Sequence, residues 1–94
     1  MGYAFEWDAA KAAANVRRHG VTFEEAVTSF GDPLCVFMPD PDHAVGEQRF
    51  LVLGLSIRGR LLVVAFGDRP PRTRLISARL ATRHELRRYE EDEG

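Results

Sequence analysis

The sequence is poor in the residues that crosslink or anchor small proteins. Its 94 residues include one cysteine, Cys35, so no disulfide can form within the chain, and no cluster of cysteine and histidine suggests a structural zinc ion. No uncharged apolar run approaches the ~20 residues that a membrane-spanning helix needs, and the first residues lack the basic-then-apolar order of a signal peptide. We therefore expect a cytoplasmic protein with no membrane contact.

The composition limits the class of fold. Apolar residues make up 45% of the chain and charged residues 29%, which is typical of a globular protein and argues against a disordered chain or a collagen-like repeat. A chain of 94 residues is long enough for one hydrophobic core. We predict a single domain over residues 1–94.

The common catalytic motifs are also missing. The chain has no glycine-rich phosphate loop, no Gly-x-Ser-x-Gly elbow and no pair of histidines at metal-binding spacing. Its three histidines, His19, His43 and His84, lie in separate segments. ATP use, serine-hydrolase chemistry and zinc catalysis therefore have no support in the sequence, and we expect neither a cofactor nor a bound metal.

Lysine is nearly absent, since twelve of the thirteen basic residues are arginine. The net charge of −1 hides an uneven distribution: residues 1–48 hold three bases and eight acids, residues 49–88 hold ten arginines and two acids, and residues 90–93 are all acidic. Arginine is suited to bidentate recognition of phosphate and to stacking on bases. The basic segment indicates a polyanionic partner, or else a surface whose arginines pair with acids of the other half.

Two short helices are predicted near the start of the chain. Asp8 has the chemistry of an N-cap for an alanine-rich helix over 9–18, and Gly20 suits the left-handed position that follows a helix. Thr22-Phe23-Glu24-Glu25 has the pattern of a capping box for a second helix, which stops at Gly31-Asp32-Pro33.

A sheet and a final helix are predicted for the rest of the chain. Strands are expected at 34–38, 49–57, 60–66 and 72–78. Alternation would place four residues on one face of the last strand: Arg72, Arg74, Ile76 and Ala78. A second capping-box pattern, from Thr82 to Glu85, opens a terminal helix. The predicted fold is α+β, with two N-terminal helices, an antiparallel sheet of about four strands and a C-terminal helix.

What remains is a set of arginines with a few side chains that can move protons. Metal-free RNA cleavage needs both: the 2′-hydroxyl must lose its proton, and cationic donors must meet the charge that develops on the phosphorane. The residues alone are therefore compatible with a ribonuclease.

Several motifs together resemble those of the BrnT family of type II toxin–antitoxin systems. The opening carries, at the family's spacing, Phe5-Glu6-Trp7-Asp8, Lys11, Asn15 and Arg18-His19-Gly20-Val21. The likeness continues in the family's order through Phe23-Glu24-Glu25-Ala26, Asp32-Pro33, Glu47-Gln48-Arg49-Phe50, residues 59–64, Ile76-Ser77-Ala78-Arg79, and Glu85 with Tyr89. It covers nearly the whole chain, from Phe5 to Tyr89.

The resemblance implies a RelE-like fold, an RNA substrate and ribonuclease activity that arrests translation. It further implies a cognate ribbon-helix-helix antitoxin of the BrnA type, with promoter DNA bound only by the complex through that antitoxin. Two positions depart from the family's pattern: Arg18 replaces the usual lysine, and Ala65-Phe66-Gly67 is apolar where polar residues are common. The alternatives are a non-catalytic nucleic-acid-binding or regulatory module and a basic surface that serves only an acidic protein.

Ten residues are candidates for the site. The catalytic candidates are Arg79, Arg60, Arg74, Glu47, Lys11 and His19, and the RNA-binding candidates are Arg49, Arg18, Asn15 and Tyr89. Arg79 is the leading candidate for stabilising the transition state, because it ends the Ile-Ser-Ala-Arg motif between a strand and a helix. Glu47, His19 and Lys11 all remain candidates for the general base.

Each of these candidates also has a structural interpretation. Lys11, Asn15 and Arg18 stand at i, i+4 and i+7, so they would form one polar stripe on a solvated helix face. The Arg79 side chain could pair with Glu85, and Glu47 could form a local ion pair with Arg49. For Tyr89, packing in the core beside Leu86 is favoured over a catalytic role.

Overall fold

A computed structural model describes residues 4–41 and 48–93. The elements in these residues are, in chain order, β1 (Phe5–Glu6), α1 (Ala9–His19), α2 (Phe23–Ser29), β2 (Val36–Pro39), β3 (Arg49–Leu55), β4 (Leu61–Arg69), β5 (Arg72–Leu80) and α3 (Arg83–Glu93). The predicted α+β class is confirmed, with two helices before the main strands and one after them.

The described strands form one five-stranded sheet in the order β1-β5-β4-β3-β2. Strands β2 to β5 pair with their neighbours in antiparallel fashion, whereas β1 runs parallel to β5. The predicted antiparallel strands are thus present as β2 to β5, and the parallel strand β1 was not predicted. Because β1 has only two residues, Phe5 and Glu6, it is too short to show the alternation by which a strand is recognised.

The caps of the first two helices follow from local chemistry. The Asp8 carboxylate accepts a hydrogen bond from the Lys11 N–H at 2.9 Å, and Gly20 closes α1 with a φ of 70°. Thr22 begins α2, since its hydroxyl accepts from the Glu25 N–H at 3.0 Å. The Glu25 carboxylate does not complete the capping box; it turns to groups at the β3–β4 turn.

A bulge in β5 changes which side chains share a face. Ala65 pairs with Ser77 and Phe66 with Leu75, so Ile76 is an extra residue without a partner in β4. The extra residue reverses the alternation beyond it. The predicted grouping of Arg74 with Ala78 is therefore wrong: Ala78 faces the core, and Arg74 instead shares its face with Ser77 and Arg79.

The core lies between one face of the sheet and helices α1 and α2. Its fully buried members include Phe23 from α2, Val52 from β3, Val64 from β4 and Leu75 from β5. Phe30 joins this core through edge-to-face ring contacts that the aromatic quadrupole favours. Since the core occupies this face, the opposite face of the sheet is left for α3 and for the polar groups described below.

Gly54 marks the closest approach of α2 to the sheet. A Cβ atom at Gly54 would lie 2.5 Å from the Ser29 carbonyl oxygen and 3.1 Å from the Cys35 Cβ. We expect Gly54→Ala to lower the free energy of unfolding by about 1–3 kcal/mol, because backbone would have to move. Urea unfolding measures this loss.

Gly31→Ala is the matched control for that substitution. A Cβ atom at Gly31 would lie 3.4 Å from the Thr28 carbonyl oxygen, an ordinary contact, and the backbone there has no positive φ. The control should unfold near the parent's urea midpoint. Equal stability of both variants would contradict the packing argument at Gly54.

Candidate nucleic-acid interface

A cleft of about 240 Å³ opens on the face of the sheet opposite α1 and α2. We call it the sheet cleft; its lining residues are Asp40, Pro41, Arg49, Leu51, Val63, Ala65, Ser77 and Arg79. Residues that are paired across β3, β4 and β5 lie side by side and form three rows on this face. Arg49, Gly67 and Arg74 form one row across β3, β4 and β5, then Leu51, Ala65 and Ser77, then Leu53, Val63 and Arg79. The middle row is therefore apolar except for Ser77, and the arginines stand in the two outer rows.

Arg79 is held in place by the first turn of α3. Its Nη1 and Nη2 donate to Glu85 Oε1 and Oε2 at 2.8 and 2.9 Å, and Nη1 also donates to the Leu80 carbonyl oxygen at 3.3 Å. A guanidinium carries five N–H donors. The two that remain, Nε–H and the second N–H of Nη2, lie side by side and have no hydrogen-bond partner among the described residues. This edge has the geometry that grips two oxygens of one phosphate.

The ion pair sets the charge state of Glu85. The hydrogen bond from Arg79 outweighs the effect of burial and, with the Thr82 N–H, lowers the pKa of Glu85 to about 2. The same contact raises the pKa of Arg79. Glu85 is thus a carboxylate at neutral pH and has no proton to give.

Arg49 supplies a second guanidinium to the sheet cleft. Its Nε is enclosed, lies 3.8 Å from Asp40 Oδ2, and has no hydrogen-bond partner within residues 4–41 and 48–93. The Arg49 side chain is 20% exposed. Arg49 lines the sheet cleft and so adds a second positive charge to it.

A second, smaller pocket of about 170 Å³ adjoins the sheet cleft at the edge of β5. We call it the helix pocket; it is lined by Lys11, Ala14, Asn15, Arg18, His19, Ile76 and Ser77. Ser77 lines both cavities, so the two are neighbours around β5. Four of the predicted candidates, Lys11, Asn15, Arg18 and His19, are brought together here.

Asn15 joins α1 to β5. Its amide Nδ2 donates to the carbonyl oxygens of Val21 and Ala78 at 2.9 and 2.8 Å, and its Oδ1 accepts from the Ala78 N–H at 3.1 Å. The side chain is buried and fully used by the backbone. Asn15 therefore fixes the helix pocket against the sheet and presents no amide donor to a ligand.

Arg60 lies away from both cavities. Its Nε donates to Glu25 Oε2 at 2.9 Å and its Nη2 to the Gly20 carbonyl oxygen at 3.1 Å. The Glu25 side chain is only 4% exposed and also accepts from Ser56 Oγ at 2.7 Å. The hydrogen bond from Arg60 lowers the pKa of Glu25 against the opposing effect of burial. This network ties α2 to the β3–β4 turn.

Arg74 and Tyr89 are engaged in other contacts. Arg74 shares the face of the sheet cleft, but its Nη1 lies 3.5 Å from Glu6 Oε2 in β1. The Tyr89 hydroxyl donates to the carboxylate of Asp32, which also accepts from the N–H groups of Leu34 and Leu55. Burial alone would raise the pKa of Asp32, but these hydrogen bonds lower it. Tyr89 thus fastens α3 to the body of the protein.

Glu47, the remaining candidate, lies outside the described residues. Sequence reasoning missed Ser77, which stands between the two cavities, and it assigned no site role to Glu85. The signal for Ser77 was its place in the Ile-Ser-Ala-Arg motif. The signal for Glu85 was its possible ion pair with Arg79, which was predicted as a structural contact only.

No three histidine, cysteine or acidic side chains gather into a metal-binding group in the part of the chain that the structure describes. Within the same residues, every helix is too short or too polar to cross a membrane.

Comparison with known proteins now identifies the family. No curated protein matches the chain. A family model described as "Ribonuclease toxin, BrnT, of type II toxin-antitoxin system" matches residues 7–85, which include the described parts of both cavities. The chain therefore belongs to the BrnT family of ribonuclease toxins from type II toxin–antitoxin systems.

Proposed function

We propose that residues 1–94 act as a single RelE-like domain that cleaves RNA without a metal ion and so arrests translation in the cytoplasm. The observation that carries this proposal is that Arg79, which keeps two N–H donors without a partner among the described residues, lines the sheet cleft together with Arg49. Guanidinium groups stabilise charge that develops on a transferring phosphoryl group. Membership of a ribonuclease toxin family supports the choice of RNA as substrate.

In the proposed reaction the RNA supplies its own nucleophile. A base removes the proton of a 2′-hydroxyl, O2′ bonds to the adjacent phosphorus, and the bond from phosphorus to O5′ breaks as O5′ takes up a proton. The products are a 2′,3′-cyclic phosphate, which water can open to a 3′-phosphate, and a 5′-hydroxyl. Arg79 and Arg49 would bind the phosphate oxygens as negative charge grows on them.

His19 and Lys11 are the described candidates for the base. Both line the helix pocket, which adjoins the sheet cleft at Ser77. A phosphate gripped in the cleft would therefore bring the neighbouring ribose toward this pocket. Arg18, in the same pocket, would bind an adjacent phosphate. Glu47 stays a third candidate for the base, from the sequence alone.

The test is incubation of the purified chain with mixed-sequence RNA in excess EDTA at low salt, followed by analysis of the product ends. We expect cyclic or 3′-phosphate ends opposite 5′-hydroxyl ends. Loss of cleavage in EDTA would contradict the metal-free mechanism. If RNA stays intact, the same assay on translating ribosomes follows; bound but intact RNA there would favour the non-catalytic module.

We further propose that the partner is a BrnA-like ribbon-helix-helix antitoxin that covers the sheet cleft, and that the complex binds promoter DNA through the antitoxin. Type II toxins are paired with an antitoxin, and masking the phosphate-binding donors is the direct way to silence such an enzyme. We expect Arg49→Ala and Arg79→Ala each to weaken antitoxin binding about tenfold or more, as measured by calorimetry.

Arg17→Ala is the control for antitoxin binding. Arg17 lies in the last turn of α1, is exposed, and lines neither cavity. It removes the same charge from the chain and should leave the affinity close to the parent's. Unchanged affinity of both cleft variants would place the antitoxin interface elsewhere.

A further inference from the structure

We infer that Glu85 is a positioning residue of the RNA site, which holds the Arg79 guanidinium so that its free donor edge faces the sheet cleft. The inference rests on the proposed function and assigns a role within it to a residue outside the predicted site.

The first support is the way in which Glu85 divides the donors of Arg79. Its two carboxylate oxygens take one N–H from Nη1 and one from Nη2, and the Leu80 carbonyl oxygen takes the other N–H of Nη1. Only one edge of the guanidinium is left, formed by Nε and Nη2. Glu85 therefore selects which edge a phosphate meets.

The second support is that Glu85 is itself fixed. Its Oε1 accepts from the Thr82 N–H at 2.8 Å, and its own N–H donates to Thr82 Oγ1 at 3.2 Å. This is a complete reciprocal capping box at the start of α3. The carboxylate that aims Arg79 is thus anchored to the helix backbone.

The third support is exposure. The Arg79 side chain is 40% exposed, so without a partner it would sample several rotamers in solvent. A donor that must meet charge in the transition state is most effective when it is already in place. RNA binding alone does not require a fixed orientation of the Arg79 guanidinium. The negative charge of Glu85 also repels the RNA phosphates. If Glu85 positions Arg79, removing the charge of Glu85 should slow RNA cleavage but leave RNA affinity unchanged or increase it.

The test compares Glu85→Gln with Thr82→Ala. The glutamine keeps the size of the side chain but places an N–H₂ group against Arg79, so it disrupts the paired contact. Thr82→Ala removes the hydroxyl half of the same cap and leaves the Arg79 contact intact. Single-turnover cleavage is measured at saturating RNA, and affinity is measured with an uncleavable 2′-O-methyl RNA.

For Glu85→Gln we expect cleavage about 10–100-fold slower, with RNA affinity unchanged or tighter. Thr82→Ala should cleave within about twofold of the parent, although both variants lose helix-cap stability. Glu85→Asp keeps the negative charge on a side chain that is one methylene shorter. Its cleavage rate should fall between those of the parent and Glu85→Gln.

Two results would overturn the inference. Parent-like cleavage by folded Glu85→Gln would show that Arg79 needs no positioning, and an equal loss in Thr82→Ala would assign the effect to the helix cap. Failure of the proposed function is distinct from both, since the parent itself would then leave RNA intact, free or on ribosomes. That result would remove the inference together with the function.

Discussion

Arg79→Ala is expected to slow RNA cleavage by about 10²–10³-fold, the range found when one preorganised donor is removed from a transition state. The alanine variant loses both N–H groups of the free edge as well as the contacts that hold them. Its fold should survive: Glu85 would keep its capping bonds to Thr82, and the Arg79–Glu85 pair is part-exposed, so its loss costs under about 1 kcal/mol.

The measurement is single-turnover cleavage beside far-ultraviolet circular dichroism and thermal unfolding of each variant. Arg17→Ala again controls for the loss of one positive charge, and its cleavage should stay near the parent's. A folded Arg79→Ala variant that retains cleavage would remove Arg79 from the site. Phosphate binding in the proposed mechanism would then depend on Arg49 and on the residues of the helix pocket.

Arg60→Ala is expected to act on stability, lowering the melting temperature by about 15 °C. The substitution leaves the Glu25 carboxylate enclosed at 4% exposure, with Ser56 as its close donor and Arg58 Nη1 at 3.6 Å. A buried charge that loses its partner is costly because neither water nor another cation fully replaces the lost contact.

Two comparisons separate this structural role from a catalytic one. Arg58→Ala removes an arginine whose side chain is 66% exposed, so its melting temperature should stay within a few degrees of the parent's. The pair Glu25→Gln with Arg60→Met removes both charges and should recover part of the loss. Cleavage by Arg60→Ala, measured well below its melting temperature, should match the parent; a 100-fold loss there would return Arg60 to the site.

Features of the fold that depend on neighbours in the chain were predictable. The N-caps Asp8 and Thr22 and the stop at Gly20 each involve groups within four residues, and all three are confirmed. The bulge at Ile76 was not predictable, because alternation in one strand carries no information about the register of its partner. The β1 strand was missed because two residues show no alternation, and it is defined only by its pairing with β5.

The same distinction between local and distant contacts explains which site candidates could be predicted. The family motifs pointed to Lys11, Arg18, His19, Arg49 and Arg79, which the fold gathers into two adjoining cavities. They also pointed to Asn15 and Arg60, whose side chains bind partners brought from far along the chain. The Arg60–Glu25 contact spans 35 residues, and no local pattern distinguishes a free arginine from one with such a partner.

The hydrogen bonds of Asn15 to Ala78 also determine when the two cavities can form. Asn15 is made early and binds Ala78, which follows it by 63 residues, and β1 likewise waits for β5. Contacts so distant in sequence form only after the intervening chain exists. Neither cavity is complete until β5 has left the ribosome, and the Arg79–Glu85 contact forms only after α3 has followed. Under the proposed function, the emerging chain therefore carries the toxin's sequence before it carries the RNA site, and most of its own synthesis is finished before that site forms.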